Sequence, residues 1–145
     1  MSHFFLMIPV VLLALGLTPA FAADTAPDPA AILEEARAAI EAGNYADAMA
    51  SLTEVVAADP QNADALNLLG FASRKSGAME QAAAYYEAAL AINPRHFGAL
   101  EYQGEMFVLT DQMDAAKANL ARLEAECAPC EEYDDLAEAI TDAGA

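Results

Sequence analysis

The stretch NYADAMASLTEVVAADP at residues 44–60 is echoed 34 positions later by AMEQAAAYYEAALAINP at residues 78–94. Ala48 and Ala82 hold the same place in the two copies, Pro60 and Pro94 close them, and Ala116 carries the register into a third copy. Several landmarks recurring at one period mark an array of stacked units, each too small to bury its own apolar face. Apolar residues three and four apart, with a break near Gly43, Gly77 or Asp111, divide each copy into two amphipathic helices. The spacing predicts helices over 30–42 and 45–58, then 63–75 and 79–91, then 97–109 and 113–126.

The residue sizes say how such pairs pack. Ala36, Gly70 and Gly104 on the first helices are expected to face Ala48, Ala82 and Ala116 on the second, where small side chains let the helices approach closely. Leu52, Tyr86 and Leu120 then fill the space between neighbouring pairs. Each Pro ends its second helix, having no amide to donate and a ring that clashes with the preceding turn. At the start, Asp28-Pro29 combines a capping residue with a Pro suited to the first helical position. Beyond the third copy, Glu131 to Asp142 reads as a seventh helix with Tyr133, Leu136, Ala137 and Ile140 on one face. It would cover the apolar end of the stack, and its first-turn carboxylates suit the positive end of the helix dipole.

The pattern resembles the tetratricopeptide repeat family, most closely in the middle copy, through Leu66, Leu69-Gly70, Ala82, Tyr86 and Pro94. Ser73 stands there where the family prefers Tyr. The first copy has Ile32, Ala36, Ala48, Leu52 and Pro60, but Glu35 and Ala39 where Leu and an aromatic are usual. The third has Leu100, Gly104, Phe107, Ala116 and Leu120, with Gln103 in the Leu place and its Pro delayed by one to Pro129. The resemblance covers about residues 29–130. It implies an all-α fold, an α-solenoid of three helix pairs (29–62, 63–96 and 97–130) followed by a capping helix and tail over 131–145.

In that family the ligand usually lies along the concave face formed by the first helix of each pair. Carried over by register, this face would hold Leu33, Arg37 and Ile40, then Asn67, Phe71 and Arg74, then Glu101, Glu105 and Val108, with Arg95 at the approach to the third pair. Arg37, Arg74 and Arg95 are half of the six basic residues, so the groove is expected to be less negative than the outside. That would suit a peptide with apolar anchors and an acidic group for an Arg. The Lys-Asn clamp with which some cytosolic chaperone-binding members hold a C-terminal carboxylate is not present in its usual arrangement.

Composition sets the class of partner. The chain is 57% hydrophobic and 20% charged over 145 residues, a composition that folds rather than stays disordered. All its Lys, Arg, Asp and Glu lie after Ala22, so residues 23–145 carry the whole formal charge of −17. Nucleic acid and anionic lipid surfaces are therefore expected to be poor partners, and no nucleic acid is expected to bind. The charge acts either as a solubilising surface or as an attraction for a basic partner. Phe4 to Leu17 is an apolar run too short to span a bilayer, and Thr18-Pro19-Ala20-Phe21-Ala22 offers the small-x-small pattern of a signal peptidase site. The expectation is a signal peptide over 1–22 cut after Ala22, a flexible leader over 23–28, and a periplasmic or otherwise exported protein. A membrane enters only if the N-terminal segment is retained.

One motif carries reactive groups, Cys127-Ala128-Pro129-Cys130, in the turn before the seventh helix. In an exported protein the first reading is a disulfide stapling that helix to the last repeat. A thiol-redox site is the second: a helix N-terminus lowers a thiol pKa, but Glu124, Glu126, Glu131 and Glu132 oppose the thiolate. A copper(I) site on the two sulfurs is the third. Zinc would need more ligands than His96 adds, and Glu131 after Cys130 excludes covalent haem attachment. With no phosphate loop, no His-Glu-x-x-His and no nucleophile paired with a base, the sequence points away from an enzyme and from any cofactor, resident metal or small-molecule substrate. The leading expectation is a protein or peptide partner held in the groove. The alternatives are a redox or copper-handling accessory protein and a structural module acting through its acidic outer face.

Overall fold

Three turns explain how the chain folds back on itself at a fixed period. Gly43, Gly77 and Asp111 all adopt positive φ, at 79°, 84° and 58°. At each, the residue itself donates to the carbonyl three before it, and the following residue donates to the carbonyl five before its own position: Gly43 to Ile40 and Asn44 to Ala39, Gly77 to Arg74 and Ala78 to Ser73, Asp111 to Val108 and Gln112 to Phe107. This paired closure satisfies the last carbonyls of one helix while turning the chain into the next. A left-handed residue suits Gly without strain, and Asp is among the few other types that tolerate it.

In the computed structural model, which describes residues 28–144, these turns join seven helices. They are α1 (Pro29–Glu41), α2 (Tyr45–Ala58), α3 (Ala63–Lys75), α4 (Met79–Ile92), α5 (Phe97–Leu109), α6 (Met113–Glu126) and α7 (Glu131–Gly144). The fold is all-α, an α-solenoid of helix pairs with α7 closing the stack, and no strand occurs among the described residues. Helix ends lie within two residues of those read from the spacing. The expected signal peptide and the leader as far as Pro27 lie outside the described residues. None of the described helices is long and apolar enough to cross a membrane.

The first helix of each pair opens on a side-chain cap. The backbone N–H of Ala30 donates to Asp28 Oδ1, that of Ala65 to Asn62 Oδ1, and that of Ala99 to His96 Nδ1. Because Nδ1 of His96 accepts, its ring proton sits on Nε2, 3.0 Å from Asp64 Oδ1 on α3. One imidazole thus caps α5 and ties it to α3.

The core runs through the stack as a row of small clusters. Leu33, Leu52 and Leu69 meet at the first pair, Tyr86 and Met106 join the second pair to α5, and Leu100, Leu123 and Leu136 bind α7 to the third pair. Ala36, Ala48, Ala82 and Ala116 are all fully or nearly fully buried, as helices in close contact require. At the two Gly positions the nearest atoms belong to larger side chains. A Cβ on Gly70 would fall 2.6 Å from the Tyr86 ring, and one on Gly104 would fall 2.5 Å from Leu136. Gly70 therefore makes room for an aromatic ring, and Gly104 for the capping helix. Gln103 departs from the family pattern, yet it is satisfied: Asn119 Nδ2 donates to Gln103 Oε1 and to the Leu100 carbonyl, both at 3.0 Å. Buried polar groups are tolerated when each finds a partner, and here Asn119 supplies the donor for the Gln103 oxygen.

Candidate functional site

The concave face is built by α1, α3 and α5, which contact one another successively, and α7 extends the row by packing on α5. Two adjoining cavities open on it. The apolar one, of about 210 Å³, is lined by Ile40 of α1, Leu68 and Phe71 of α3 and Tyr102 of α5, with Arg37 and Glu41 at the edge. Phe71 and Tyr102 touch at a centroid distance of 4.7 Å with their planes tilted by 58°, a favourable edge-on arrangement. Phe71 and Tyr102 are each only half-buried, so part of both rings faces the cavity.

The second cavity, of about 310 Å³, shares Arg37, Leu68 and Tyr102 with the first and continues toward α7. Its polar walls include Asn67, Glu101 and Asp64, then Glu131, Glu132 and Asp135 from the last helix. Five carboxylic residues therefore stand against Arg37 and His96. The expectation of a groove less negative than the outside is overturned at this end.

The reason lies with the arginines. Arg74 does not offer a free guanidinium to the groove: its side chain is 6% exposed and pairs with Glu105 at 2.5 Å. Its guanidinium carbon lies 5.2 Å from the Phe71 ring centroid and 5.9 Å from that of Tyr102. Arg74 and Glu105 thus form a strut between α3 and α5 that backs the aromatic pair. Arg95 leaves the groove altogether, pairing with Glu126 of α6 at 2.7 Å. Arg37 does line both cavities, although half-exposed and paired with Glu34 one turn before it. Leu33 belongs to the core, and Val108 lines a separate hollow beside Leu109 and Ala139. The structure therefore brings Arg37, Asn67, Phe71 and Glu101 together and sets Arg74, Glu105 and Arg95 to other tasks. Sequence register missed Tyr102, one position beyond Glu101, and the acids of α7. Alternating sizes along Glu101-Tyr102-Gln103 offered no signal that Tyr102 would lean into the groove.

Glu101 is the most perturbed acid of the face. Burial pushes its carboxyl up to about 8, and Glu105, Asp135 and Glu132 add to the rise while Arg74 opposes it. The folded chain thus holds this proton more tightly than the unfolded chain, where Glu titrates near 4.5. The associated stability is present in full below about 4.5 and is lost as pH rises through about 8. Glu101→Gln is expected to raise the melting temperature relative to the parent at about pH 9, with little difference at about pH 4. An equal difference at both pH values would show that the carboxyl carries no such penalty.

Cys127 and Cys130 are joined in the turn between α6 and α7, with Cys127 packed against the cluster that anchors α7. The turn borders the acidic cavity through Glu131 and Glu132.

Residues 33–97 match the family model described as tetratricopeptide repeat. No curated protein matches the chain. Among solved structures, a thermophilic tetratricopeptide protein of Thermus thermophilus is 26% identical, with a TM-score of 0.72 over 81% of this chain and 66% of that one. The first tetratricopeptide domain of Spaghetti (RPAP3), bound to the HSP90 peptide SRMEEVD, is 19% identical, with a TM-score of 0.70 over 79% and 91%. The type III secretion chaperone SycD of Yersinia enterocolitica, in complex with a peptide of the translocator YopD, is 15% identical, with a TM-score of 0.67 over 79% and 87%. Residues 33–97 thus carry tetratricopeptide repeat sequence, and with its 34-residue period and stacked helix pairs the described chain has the tetratricopeptide repeat fold.

Proposed function

We propose that the protein is an exported, non-catalytic adaptor or assembly factor that holds a segment of a partner protein along its concave face. The observation that carries this reading is the half-exposed Phe71–Tyr102 pair over the cavity of about 210 Å³, an apolar anchor site set in a strongly acidic molecule. The peptides bound by RPAP3 and by SycD, on similar folds, lend support. Export is supported by the apolar run Phe4–Leu17 with the small-residue site ending at Ala22. An acidic peptide such as the SRMEEVD held by RPAP3 would meet Glu101, Glu132 and Asp135 here, so the partner segment differs in charge.

The test is capture from an envelope extract by the unaltered protein and by a Phe71→Ala variant of unchanged helicity. Truncating a central aromatic anchor is expected to weaken the specific partner by about 2 kcal/mol, roughly 30-fold. A set of captured proteins unaffected by the change would end the groove reading. A thiol-redox or copper-handling role for Cys127 and Cys130 would instead predict stoichiometric copper(I) uptake by the reduced chain.

A further inference from the structure

Two polar groups of the concave face line the same space, one of them with an orphaned acceptor. Asn67 on α3 is 6% exposed, and its Oδ1 meets no donor. Glu101, 34 residues later on α5, is likewise 6% exposed and takes part in none of the ion pairs among the described residues. Both line the acidic cavity. A buried acceptor without a donor destabilises the empty state, and Asn67 Oδ1 is such an acceptor. The partner it lacks is a hydrogen-bond donor, Glu101 beside it can accept as well once it has lost its proton, and the surrounding carboxylates favour a donor that carries positive charge.

We infer that this end of the groove is a receptor for one Lys or Arg side chain of the partner segment. The charged head sits between Asn67 and Glu101 beneath the carboxylates of Glu132 and Asp135. An apolar neighbour of that Lys or Arg fills the cavity formed by Leu68, Phe71 and Tyr102. This rests on the reading of the concave face as a binding groove, and it adds the chemistry of the ligand. Arrival of the cation releases the proton that burial and Glu105, Asp135 and Glu132 keep on Glu101 near neutrality, against the pull of Arg74.

Other occupants fit less well. Residues 1–27 contain no Lys or Arg, so the chain's own N-terminal segment cannot supply the side chain. A bare metal ion needs several ligand atoms converging on one point. Among the described residues the only such trio is Cys127, Cys130 and Glu132, whose sulfurs are already joined; the acids of the cavity stand too far apart.

The experiment titrates the isotope-labelled protein with two capped dipeptides, acetyl-leucyl-lysine amide and its uncharged counterpart acetyl-leucyl-norleucine amide, following backbone amide signals. The lysine peptide is expected to shift Asn67, Glu101 and Tyr102 and to bind about tenfold tighter than the norleucine peptide, the usual scale for one charge-assisted hydrogen bond. Glu101→Gln and, separately, Asn67→Ala should each reduce that preference while leaving helicity intact. Equal binding of the two peptides at Phe71 would overturn the cation receptor and leave the groove standing; no shift on the concave face with either would remove both. A preference that survives both substitutions also overturns the inference, as does saturation of the same signals by calcium chloride alone.

Discussion

Tyr86→Ala is expected to lower the stability of the fold by about 3–5 kcal/mol, a loss comparable with the whole stability of a marginal domain. Tyr86 is fully buried, and its ring occupies the space opposite Gly70 that no side chain on α3 fills. It packs with Ala82 of its own helix and Met106 of α5, so its removal opens a cavity where the second pair meets the third. The phenol oxygen contributes little to this: no hydrogen bond of full geometry reaches it, although the Arg74 guanidinium lies close by, and burial raises its pKa far above the ordinary value against the pull of Arg74. Tyr86→Phe should therefore stay within about 1 kcal/mol of the parent. Urea unfolding followed by far-ultraviolet circular dichroism measures both variants. A loss below about 1 kcal/mol for the Ala variant would mean that the ring does not hold the pairs together.

Gly104→Val tests the other close approach. The first carbon of any side chain there would lie 2.5–2.7 Å from the two methyl carbons of Leu136, well inside contact distance. Overpacking of this kind costs about 1–3 kcal/mol, and the yielding element is α7, which is held at the end of the stack by Leu136, Tyr133 and Ile140. Detachment should appear as rapid proteolytic trimming of α7 and a lower melting temperature. Gly98→Ala on the same helix is the control, because its nearest atom would be 3.4 Å away. If Gly104→Val resisted proteolysis as well as Gly98→Ala, the tight fit of α7 on α5 would be refuted. Loss of α7 would also strip Glu132 and Asp135 from the groove.

The helices and their turns were legible because they obey local rules. Gly43, Gly77 and Asp111 recur at the period, and each proved to be the left-handed residue that ends a helix. Register alone also put Asn67, Phe71 and Glu101 on one face. It could not distribute the arginines, since whether an Arg points into the groove depends on which acid lies within reach. Arg74 finds Glu105 on the next pair, and Arg95 finds Glu126 on α6. The spacing of Arg74 and Glu105, 31 residues, is three short of the period and was the one available hint of a bond between neighbouring first helices. The dual part of α7 was equally hidden. Its apolar stripe announced a cap, whereas the reach of Glu132 and Asp135 toward the groove follows from the packing of Leu136 onto Gly104.

Every contact between helices in the stack joins a helix to the next one or the next but one along the chain. Such a molecule has no long loop to close before its packing begins, so the entropic barrier to folding is low and folding in milliseconds or less is the expectation for this topology. The same arrangement bears on how the chain can change over generations: a duplicated block of one period, inserted at a turn such as Gly77, would add surface to the groove while every older helix kept an equivalent neighbour.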